Sequence, residues 1–454
     1  MIFPVLLLSL ASLGATTHVT NPPAGERNPA AVQEVMEGKR AEASAAWWGF
    51  HAEDSTAALQ AAFDSKAKQI LIPYTGKPWI VRPLMLRSNQ EIEIAPGVVI
   101  LAKRGEFQGV NDSVLTARDV ENVTIRGYGA TVRMWKQDYQ NPPYKKGEWR
   151  MGVEIQGSKN VLIEGLRVEN SGGDGFYVDG GKSRLWSEDV TLRNCSADGN
   201  HRQGISVISA VNLLVENCTF SNTEGTAPQA GIDLEPDAAN QRLQNIVIRN
   251  SIFENNQGSG MDVYLKQLNG TSAPVSILFD RCLSRVTEGT VTSSGISIGA
   301  VRDAGPKGLV EFRDTTVESA GMSDVVVAAK SADGALVRFV RCHWSHAWSA
   351  PRPEYSGPRV PVLILLRQPK LTHRLGGVEF VDCSIYDTES RPAVQVFEGC
   401  VKYTAKGWWC DEDQTNYGVY GLHGRIFVEN PTGIHADLGP KPADTDLVLT
   451  AAEP

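Results

Sequence analysis

Five hexapeptides that end in cysteine decide the fold: VTLRNC (190–195), LLVENC (213–218), ILFDRC (277–282), VRFVRC (337–342) and VEFVDC (378–383). Two more segments, IVIRNS (246–251) and VEFRDT (310–315), keep the frame with a small hydroxyl residue in the last place. Apolar residues alternate with mostly polar ones, which is the period-two pattern of a strand. Successive segments begin 23 to 41 residues apart. Like residues that recur at irregular spacing predict strands stacked coil upon coil, and so an all-β, single-stranded right-handed parallel β-helix.

A second strand follows these segments, and in five coils it opens with glycine. The five strands are GFYVD (175–179), GISVI (204–208), GIDLE (231–235), GMDVY (260–264) and GISIG (295–299). Glycine at the first position predicts a sharp corner with positive φ. Strand alternation turns the second and fourth residues inward and the third and fifth outward.

The chain divides into four predicted segments. Residues 1–15 are predicted to be a signal peptide, because residues 5–13 form a short apolar run followed by small residues. Residues 16–89 form an N-terminal helical segment and cap, with one helix near 29–47 and a second whose apolar face includes Leu59 and Phe63. The β-helix occupies 90–400, and residues 401–454 form a C-terminal cap or tail. A leader sequence predicts a secreted or periplasmic protein.

Composition excludes some partners. The net charge of -8 disfavours nucleic acid and anionic membranes. The sequence contains no run of 18 apolar residues, so no membrane span is predicted. The five cysteines of the repeat are predicted to be buried and unbonded, because free cysteine behaves as a small hydrophobe. Cys400 and Cys410 lie outside the repeat, and in an exported chain they are the plausible disulfide.

The stretch WWGFHAEDSTAALQAAFDSKAKQILIP (47–73) resembles the opening of the pectin-lyase-like superfamily. In that superfamily a short capping helix leads into the first coil, and its members include polysaccharide lyases, polygalacturonase-type hydrolases, epimerases and phage tailspikes. The resemblance implies a polysaccharide or oligosaccharide bound along one sheet face. The Asp-Asp, Gly-His-Gly and Arg-Ile-Lys strings of polygalacturonase-type hydrolases are absent from this sequence, so no catalytic residue is transferred from the family.

Three carboxylates on the second strand form the predicted active site. Asp233 and Asp262 are neighbours on adjacent strands, about 4.8 Å apart, and Glu235 lies one step further along. Like charges so close raise the pKa of one member. Ile208 and Tyr264 flank Glu235, so Glu235 is the predicted general acid, while Asp233 or Asp262 stays ionised as base or nucleophile. This arrangement predicts a glycoside hydrolase that needs no cofactor.

Two other interpretations of this face remain open. Asp233, Glu235, Asp237 and Asp262 are hard oxygen ligands that can hold calcium in a polysaccharide lyase. His201, Arg202 or Lys266 would then remove the C5 proton. The same residues can instead be the surface of a non-catalytic carbohydrate-binding β-helix, such as an adhesin or a tailspike.

Further residues are predicted to bind the substrate. Tyr177, Asp179 and Tyr264 point outward on the same strands, with His201, Arg202 and Lys266 in the flanking turns. Trp135 and Trp149 belong to a long loop (135–150) rich in aromatic and basic residues, and a loop at 344–359 has similar composition. Long loops in compact folds are often functional. Asp174 is assigned to a glycine-rich corner.

Overall fold

Two short helices precede the coils. The computed structural model describes residues 26–287, 291, 293–301, 305–350, 355, 357–365, 374–397, 419–430, 433–438 and 442–452. The predicted signal peptide and the Cys400–Cys410 disulfide therefore lie outside the described residues. The α-helices are Pro29–Met36 and Thr56–Phe63, and 3-10 turns occupy Ala45–Trp48 and Asp138–Gln140.

The first helix is shorter than predicted. Asn28 caps its start by accepting a hydrogen bond from the backbone N–H of Ala31 at 3.0 Å. Gly38, with φ of 75°, follows the last turn and directs the chain into an extended segment. In the second helix Leu59 and Phe63 are buried against the first coil, as the apolar spacing predicted.

The strands form three parallel ladders, one along each face of the helix, and this confirms the predicted architecture. Sheet 1 contains Glu42–Ser44, Gln69–Ile72, Gln90–Ile94, Glu121–Arg126, Lys159–Glu164, Ser187–Arg193, Ala210–Glu216, Leu243–Arg249, Val275–Asp280, Gly308–Arg313, Leu336–Val340, Leu375–Tyr386, Val419–Glu429 and Pro442–Thr445. Sheet 2 contains Trp79–Val81, Val99–Ala102, Thr131–Arg133, Arg167–Glu169, Ser196–Asp198, Thr219–Ser221, Ile252–Glu254, Leu283–Arg285, Thr316–Glu318, His343–Ser345 and Val448–Ala451. Sheet 3 contains Leu84–Met85, Leu115–Arg118, Val153–Gln156, Phe176–Asp179, Ile205–Val207, Ile232–Leu234, Met261–Tyr264, Ile296–Gly299, Val325–Ala328, Val362–Leu365, Val394–Phe397 and Ala436–Asp437.

The repeat columns lie in register inside the coil. The first-position residues pair in one line from Val190 through Leu213 to Val378. The third-position aromatic residues stack, and the rings of Phe279 and Phe312 are 4.7 Å apart and nearly parallel. All five repeat cysteines are buried and free, as predicted. Like residues therefore pack on like residues, and one continuous core runs through the described coils.

The corners are built differently from the prediction. The glycines that open the sheet 3 strands do not have positive φ, so that expectation is wrong. Space is the reason for glycine here, since a Cβ on Gly260 would lie 2.1 Å from Ser284 Oγ. Positive φ falls instead on asparagines at other corners, such as Asn212 and Asn245, a residue type that tolerates this conformation. The side chain of Asn245 donates to that of Asn212 in the neighbouring coil.

The ladders extend beyond the region predicted to be the β-helix. Sheet 1 begins at Glu42–Ser44, which pairs with Gln69–Ile72, well before residue 90. It continues past residue 400, because Val419–Glu429 pairs with Leu375–Tyr386. No helix among the described residues is both long and apolar enough to cross a membrane.

Candidate active site

The outward column of sheet 3 brings the predicted acidic residues together. Parallel pairing places Tyr177, Ser206, Asp233, Asp262 and Ser297 side by side, one in each successive coil. Asp233 and Asp262 are therefore direct neighbours, as the register of the repeat predicted. Glu235 follows the end of the strand Ile232–Leu234, so it lies at the border of the sheet.

Burial divides these carboxyl groups in the opposite way from the prediction. Asp233 is 1% exposed, whereas the side chain of Glu235 is 31% exposed and lies 3.5 Å from Arg202. Burial, then the charges of Asp262 and Glu235, raise the pKa of Asp233 well above its usual value. The expectation of an ionised Asp233 and a desolvated Glu235 is wrong. Side chains from neighbouring coils cover the middle of the strand, while Glu235 at its end keeps contact with solvent.

Asp233 is hydrogen-bonded to Gln203 and interacts with Glu235. Gln203 Nε2 donates to Asp233 Oδ2 at 2.9 Å, and Gln203 Oε1 accepts from the Ala230 N–H at 2.7 Å. The other oxygen, Asp233 Oδ1, is buried and meets no hydrogen-bond donor among the described residues. A hydrogen bond between the Asp233 and Glu235 carboxyls contributes to the raised pKa of Asp233.

Arg202 is the cation at the centre of the cluster. Its guanidinium lies 3.7 Å from Asp174 and 3.5 Å from Glu235, and only 14% of its side chain is exposed. Burial alone would lower the pKa of Arg202, but the carboxylates of Asp174, Asp233, Glu235 and Glu148 raise it. The guanidinium stays charged and partly compensates the acidic groups around it.

Asp174 belongs to this cluster and was missed by the sequence analysis. It is fully buried, and Ser206 Oγ donates to its Oδ2 at 2.7 Å. Burial raises its pKa to about 6, against the opposing charge of Arg202 and the Ser206 hydrogen bond. Aspartate is common in glycine-rich turns, so the local composition did not indicate a functional role for Asp174. The register offers a signal, because Asp174 precedes its strand at the same place as Gln203 in the next coil.

Tyr177 and Asp179 lie on one strand, two coils before the strand that carries Asp233. The Tyr177 hydroxyl donates to Asp179 Oδ2 at 3.2 Å, and the Gly180 N–H and Gln241 Nε2 donate to Oδ1 at 2.6 and 3.1 Å. Burial, followed by the charges of Asp237 and Glu154, raises the pKa of Asp179 to about 6. Asp179 is thus a second half-buried carboxyl at the same face.

The residues put forward as calcium ligands do not fit a metal ion. The described residues contain no group of three or more His, Cys, Asp and Glu side chains placed to hold one. Asp233 is bonded to Gln203, Glu235 contacts Arg202, and Asp237 is exposed. The charge that balances these carboxylates in the described part of the chain is a guanidinium.

Of the three bases put forward for a lyase, Arg202 contacts Glu235, while His201 and Lys266 lie in the turns that flank the sheet 3 strands. His201 is buried, and its Nε2 is 2.9 Å from Thr226 Oγ1. Burial, then the charges of Lys136 and Lys146, lower the pKa of His201 to about 4, so the imidazole is neutral near pH 7. Lys266 is exposed in the turn after Tyr264, which is half-buried at the end of its strand.

The loop at 135–150 flanks the cluster, and its two tryptophans differ. Trp135 donates its indole N–H to the Ala102 carbonyl at 2.7 Å and packs under Arg104, so it fastens the loop. Trp149 is 45% exposed. The loop packs tightly on the corner before Asp174, since a Cβ on Gly173 would lie 2.7 Å from the Glu148 carbonyl oxygen. Trp149 is therefore an accessible aromatic face close to the carboxyl cluster.

Part of the second predicted loop covers the same sheet face further along. Trp348 and Tyr355 are 4.7 Å apart and pack with Val326 and Leu363, which continue the outward column. Residues 351–354 and 356 lie outside the described residues. This apolar cluster bounds the polar part of the face on its C-terminal side.

Comparisons with known proteins agree on the fold. The family model "Right handed beta helix region" matches residues 117–273. The SPbeta prophage-derived uncharacterized protein YorA of Bacillus subtilis (strain 168) is 26% identical over 261 residues, which cover 54% of this chain and 42% of the relative. The chain therefore spans less than half the length of this curated relative.

Solved structures share the architecture at low identity. The A-module of the mannuronan C-5 epimerase AlgE4 of Azotobacter vinelandii has a TM-score of 0.61 and 15% identity, covering 90% of this chain and 100% of that one. A family 28 exopolygalacturonase of Yersinia enterocolitica has a TM-score of 0.56 and 11% identity, and the match covers 91% of this chain and 79% of that one. The Streptococcus pneumoniae surface protein and adhesin PfbA has a TM-score of 0.51 and 13% identity, covering 90% and 99%. The matched region and the shared coils show that this chain has the right-handed parallel β-helix fold.

Proposed function

We propose that this protein is a polysaccharide-degrading enzyme that hydrolyses a glycosidic bond with the carboxyl groups of sheet 3. The observation that carries the proposal is the group of three neighbouring carboxyl groups, in which Asp233 is buried with a raised pKa beside Asp262 and Glu235 stays partly exposed. Glycoside hydrolysis needs one carboxyl that gives a proton and another that is ionised, held by environments that separate their pKa values. Burial raises the pKa of Asp233, and Glu235, two residues further on, keeps contact with solvent.

Each residue has a distinct part in this proposal. Glu235, the exposed carboxyl of the cluster, gives a proton to the glycosidic oxygen as the bond to the anomeric carbon breaks. Asp233 is a positioning residue, which is buried beside Glu235 and has a raised pKa. Asp262 either takes a proton from the attacking water or attacks the anomeric carbon itself, and water then completes the hydrolysis. Trp149 offers a flat apolar surface for a sugar ring of the substrate.

The test is a screen of polysaccharides for new reducing ends, together with absorbance for unsaturated uronate. Loss of a general acid typically costs on the order of 100- to 10,000-fold in rate, so Glu235→Gln should lose most turnover. Glu154→Gln is the matched control, because Glu154 lies on the same outward column three coils from Asp233 and contacts Arg118 instead. Full activity in Glu235→Gln would reject the assignment. Unsaturated product with activity that is lost in chelator would identify a metal-dependent lyase.

A non-catalytic carbohydrate-binding protein is the second candidate. The exposed Trp149 favours it, since a binding face needs an aromatic platform. The fold of the adhesin PfbA is compatible with this role. A binding protein would release no reducing ends from any glycan, and Glu235→Gln and Asp262→Asn would both keep its glycan affinity.

We also propose export to the periplasm or the medium, based on the apolar run at 5–13 and the small residues after it. Fractionation of expressing cells and the mass of the mature protein test this. A cytoplasmic product that keeps residues 1–15 would contradict it.

A further inference from the structure

Two buried polar atoms at the edge of the carboxyl cluster lack hydrogen-bond partners among the described residues. One is an acceptor, Asp174 Oδ1, and the other is a donor, Arg202 Nε. The two side chains are adjacent, because Arg202 Nη1 lies 3.7 Å from Asp174 Oδ2. That distance is longer than a direct hydrogen bond, so the guanidinium and the carboxylate lie side by side without satisfying each other. An unsatisfied buried polar atom is costly, and two of opposite type in one place indicate a missing group.

The missing group must both donate and accept. A hydroxyl does this, since it can donate to Asp174 and accept from Arg202 at the same time. A carboxylate can only accept, and it would add a negative charge beside Asp174, Asp233 and Glu235. Like charges brought together at a binding site cost several kcal/mol, so this subsite opposes an acidic group.

We propose that Asp174 and Arg202 form a hydroxyl-binding subsite that selects an uncharged sugar unit over a uronate. The inference rests on the proposed function, because Arg202 also contacts Glu235 and so places the bound sugar next to the bond that is cleaved. Ser206 fixes the Asp174 carboxylate through its 2.7 Å hydrogen bond, which leaves Oδ1 as the oxygen that receives the sugar hydroxyl.

The experiment compares three acidic polysaccharides, polygalacturonate, alginate and hyaluronan, with the carboxyl-reduced form of each. Each pair has the same backbone and differs only in carboxylate against hydroxymethyl. Wild-type protein should release reducing ends from the reduced member of its preferred pair at least about tenfold faster. Asp174→Asn removes the charge and keeps the shape of the side chain. It should lower the ratio of the rate on the reduced polymer to the rate on the acidic polymer by about threefold or more. Glu154→Gln, a carboxyl removed from the same face, should leave the ratio unchanged.

The outcomes separate this inference from the proposed function. Turnover of none of the six polymers would reject the hydrolase and, with it, the subsite. Faster turnover of the acidic members by wild-type protein would overturn the subsite while leaving the hydrolase in place. A wild-type ratio that persists in Asp174→Asn would mean that Asp174 and Arg202 hold only water. Ser206→Ala serves if Asp174→Asn does not fold, since it loosens Asp174 without removing it, and it should narrow the ratio in the same direction.

Discussion

Asp233 and Glu235 are two residues apart on one side of a strand, yet water reaches only one of them. Strand alternation aims both outward, but neighbouring coils add a second layer of side chains above the middle of the strand. Gln203 and Arg202 lie in that layer over Asp233. The pKa of Asp233 therefore depends more on side chains of the preceding coil than on the strand that carries Asp233.

Asp324 is also a buried carboxyl with unsatisfied oxygens, but no ligand is proposed to bind it. Asp324 directly precedes the strand that begins at Val325, whereas glycine occupies this position in each of the five preceding coils. Both of its carboxyl oxygens are buried without hydrogen-bond partners among the described residues. Burial, and then the nearby Asp387, raise the pKa of Asp324 well above its usual value, although the charge of Arg391 opposes this.

We predict that Asp324→Asn stabilises the protein at neutral pH. The unfolded chain releases the Asp324 proton at its ordinary pKa, and the native state keeps it to higher pH, so wild-type stability falls as pH rises between the two values. The isosteric amide removes this loss, and the gain at pH 7 should be about 1–3 kcal/mol. Urea unfolding at pH 4 and pH 7 measures it, with exposed Asp382→Asn as control. An equal effect of Asp324→Asn at both pH values would contradict the prediction.

At the scale of the strand, alternating charges hold sheet 1 in register. Its outward column runs Arg126, Glu164, Arg193, Glu216 and Arg249 through successive coils. Arg193 contacts Glu164 and Glu216 at 3.0 Å each, and Arg249 Nε donates to Glu216 at 2.6 Å. Cross-strand pairs of opposite charge stabilise a sheet, and a slip by one residue would remove all of them together.

Glu216→Lys should therefore destabilise the coil by about 1–2 kcal/mol, because two attractive pairs become two repulsive ones. Glu216→Gln should cost less, since it removes attraction without adding repulsion. Added salt screens exposed charges, so the gap between the two variants should shrink at high ionic strength. Thermal unfolding at low and high salt measures this, and Glu53→Lys in an exposed turn is the control. Identical losses for the two Glu216 variants at low salt would disprove the role of the ladder.

The loop at 135–150 contains two tryptophans with different predicted roles. Trp149 contributes to substrate binding, and Trp135 contributes to stability. Trp149→Ala should weaken binding of the preferred polysaccharide about tenfold, because an exposed aromatic surface is lost. It should change stability by less than about 0.5 kcal/mol. Trp135→Ala should do the reverse and cost about 1–3 kcal/mol, since Trp135 packs on the core and bonds to Ala102. Affinity electrophoresis and urea unfolding test the pair. A stability loss in Trp149→Ala equal to that in Trp135→Ala would show that both only fasten the loop.

At the scale of the whole molecule, the core of the β-helix can be predicted from the sequence more readily than its surface or its ends. The inward columns are readable because stacking repeats one chemistry at one place, as in the line from Val190 to Val378. The pairing of Asp233 with Asp262 follows from the same register. The burial of Asp174 and Asp233 could not be read, because it comes from turns and from neighbouring coils. The start of sheet 1 at Glu42 was hidden because its first strands are short and lie between helices.

The five repeat thiols test whether this core behaves as one unit. Each is buried in the same inward column, and burial raises the pKa of Cys282 to about 12, which suppresses the reactive thiolate. A solenoid is held by contacts between neighbouring coils, so it opens from its ends, where one neighbour is missing.

In a Cys400→Ser/Cys410→Ser variant, we predict that a thiol-alkylating reagent labels the column in order from the C-terminal end. Cys383 should react first, because only the last coils cover it, while Cys195 and Cys218 should react last, since many coils lie on each side and the capping helix closes the N-terminal end. Mass spectrometry of peptides taken during labelling at low urea gives the order, and full denaturation gives the total of reactive thiols. Labelling of all five cysteines at one rate would mean that the coils open only by global unfolding. Labelling of Cys195 before Cys383 would place the weak end of the coil at the helical cap.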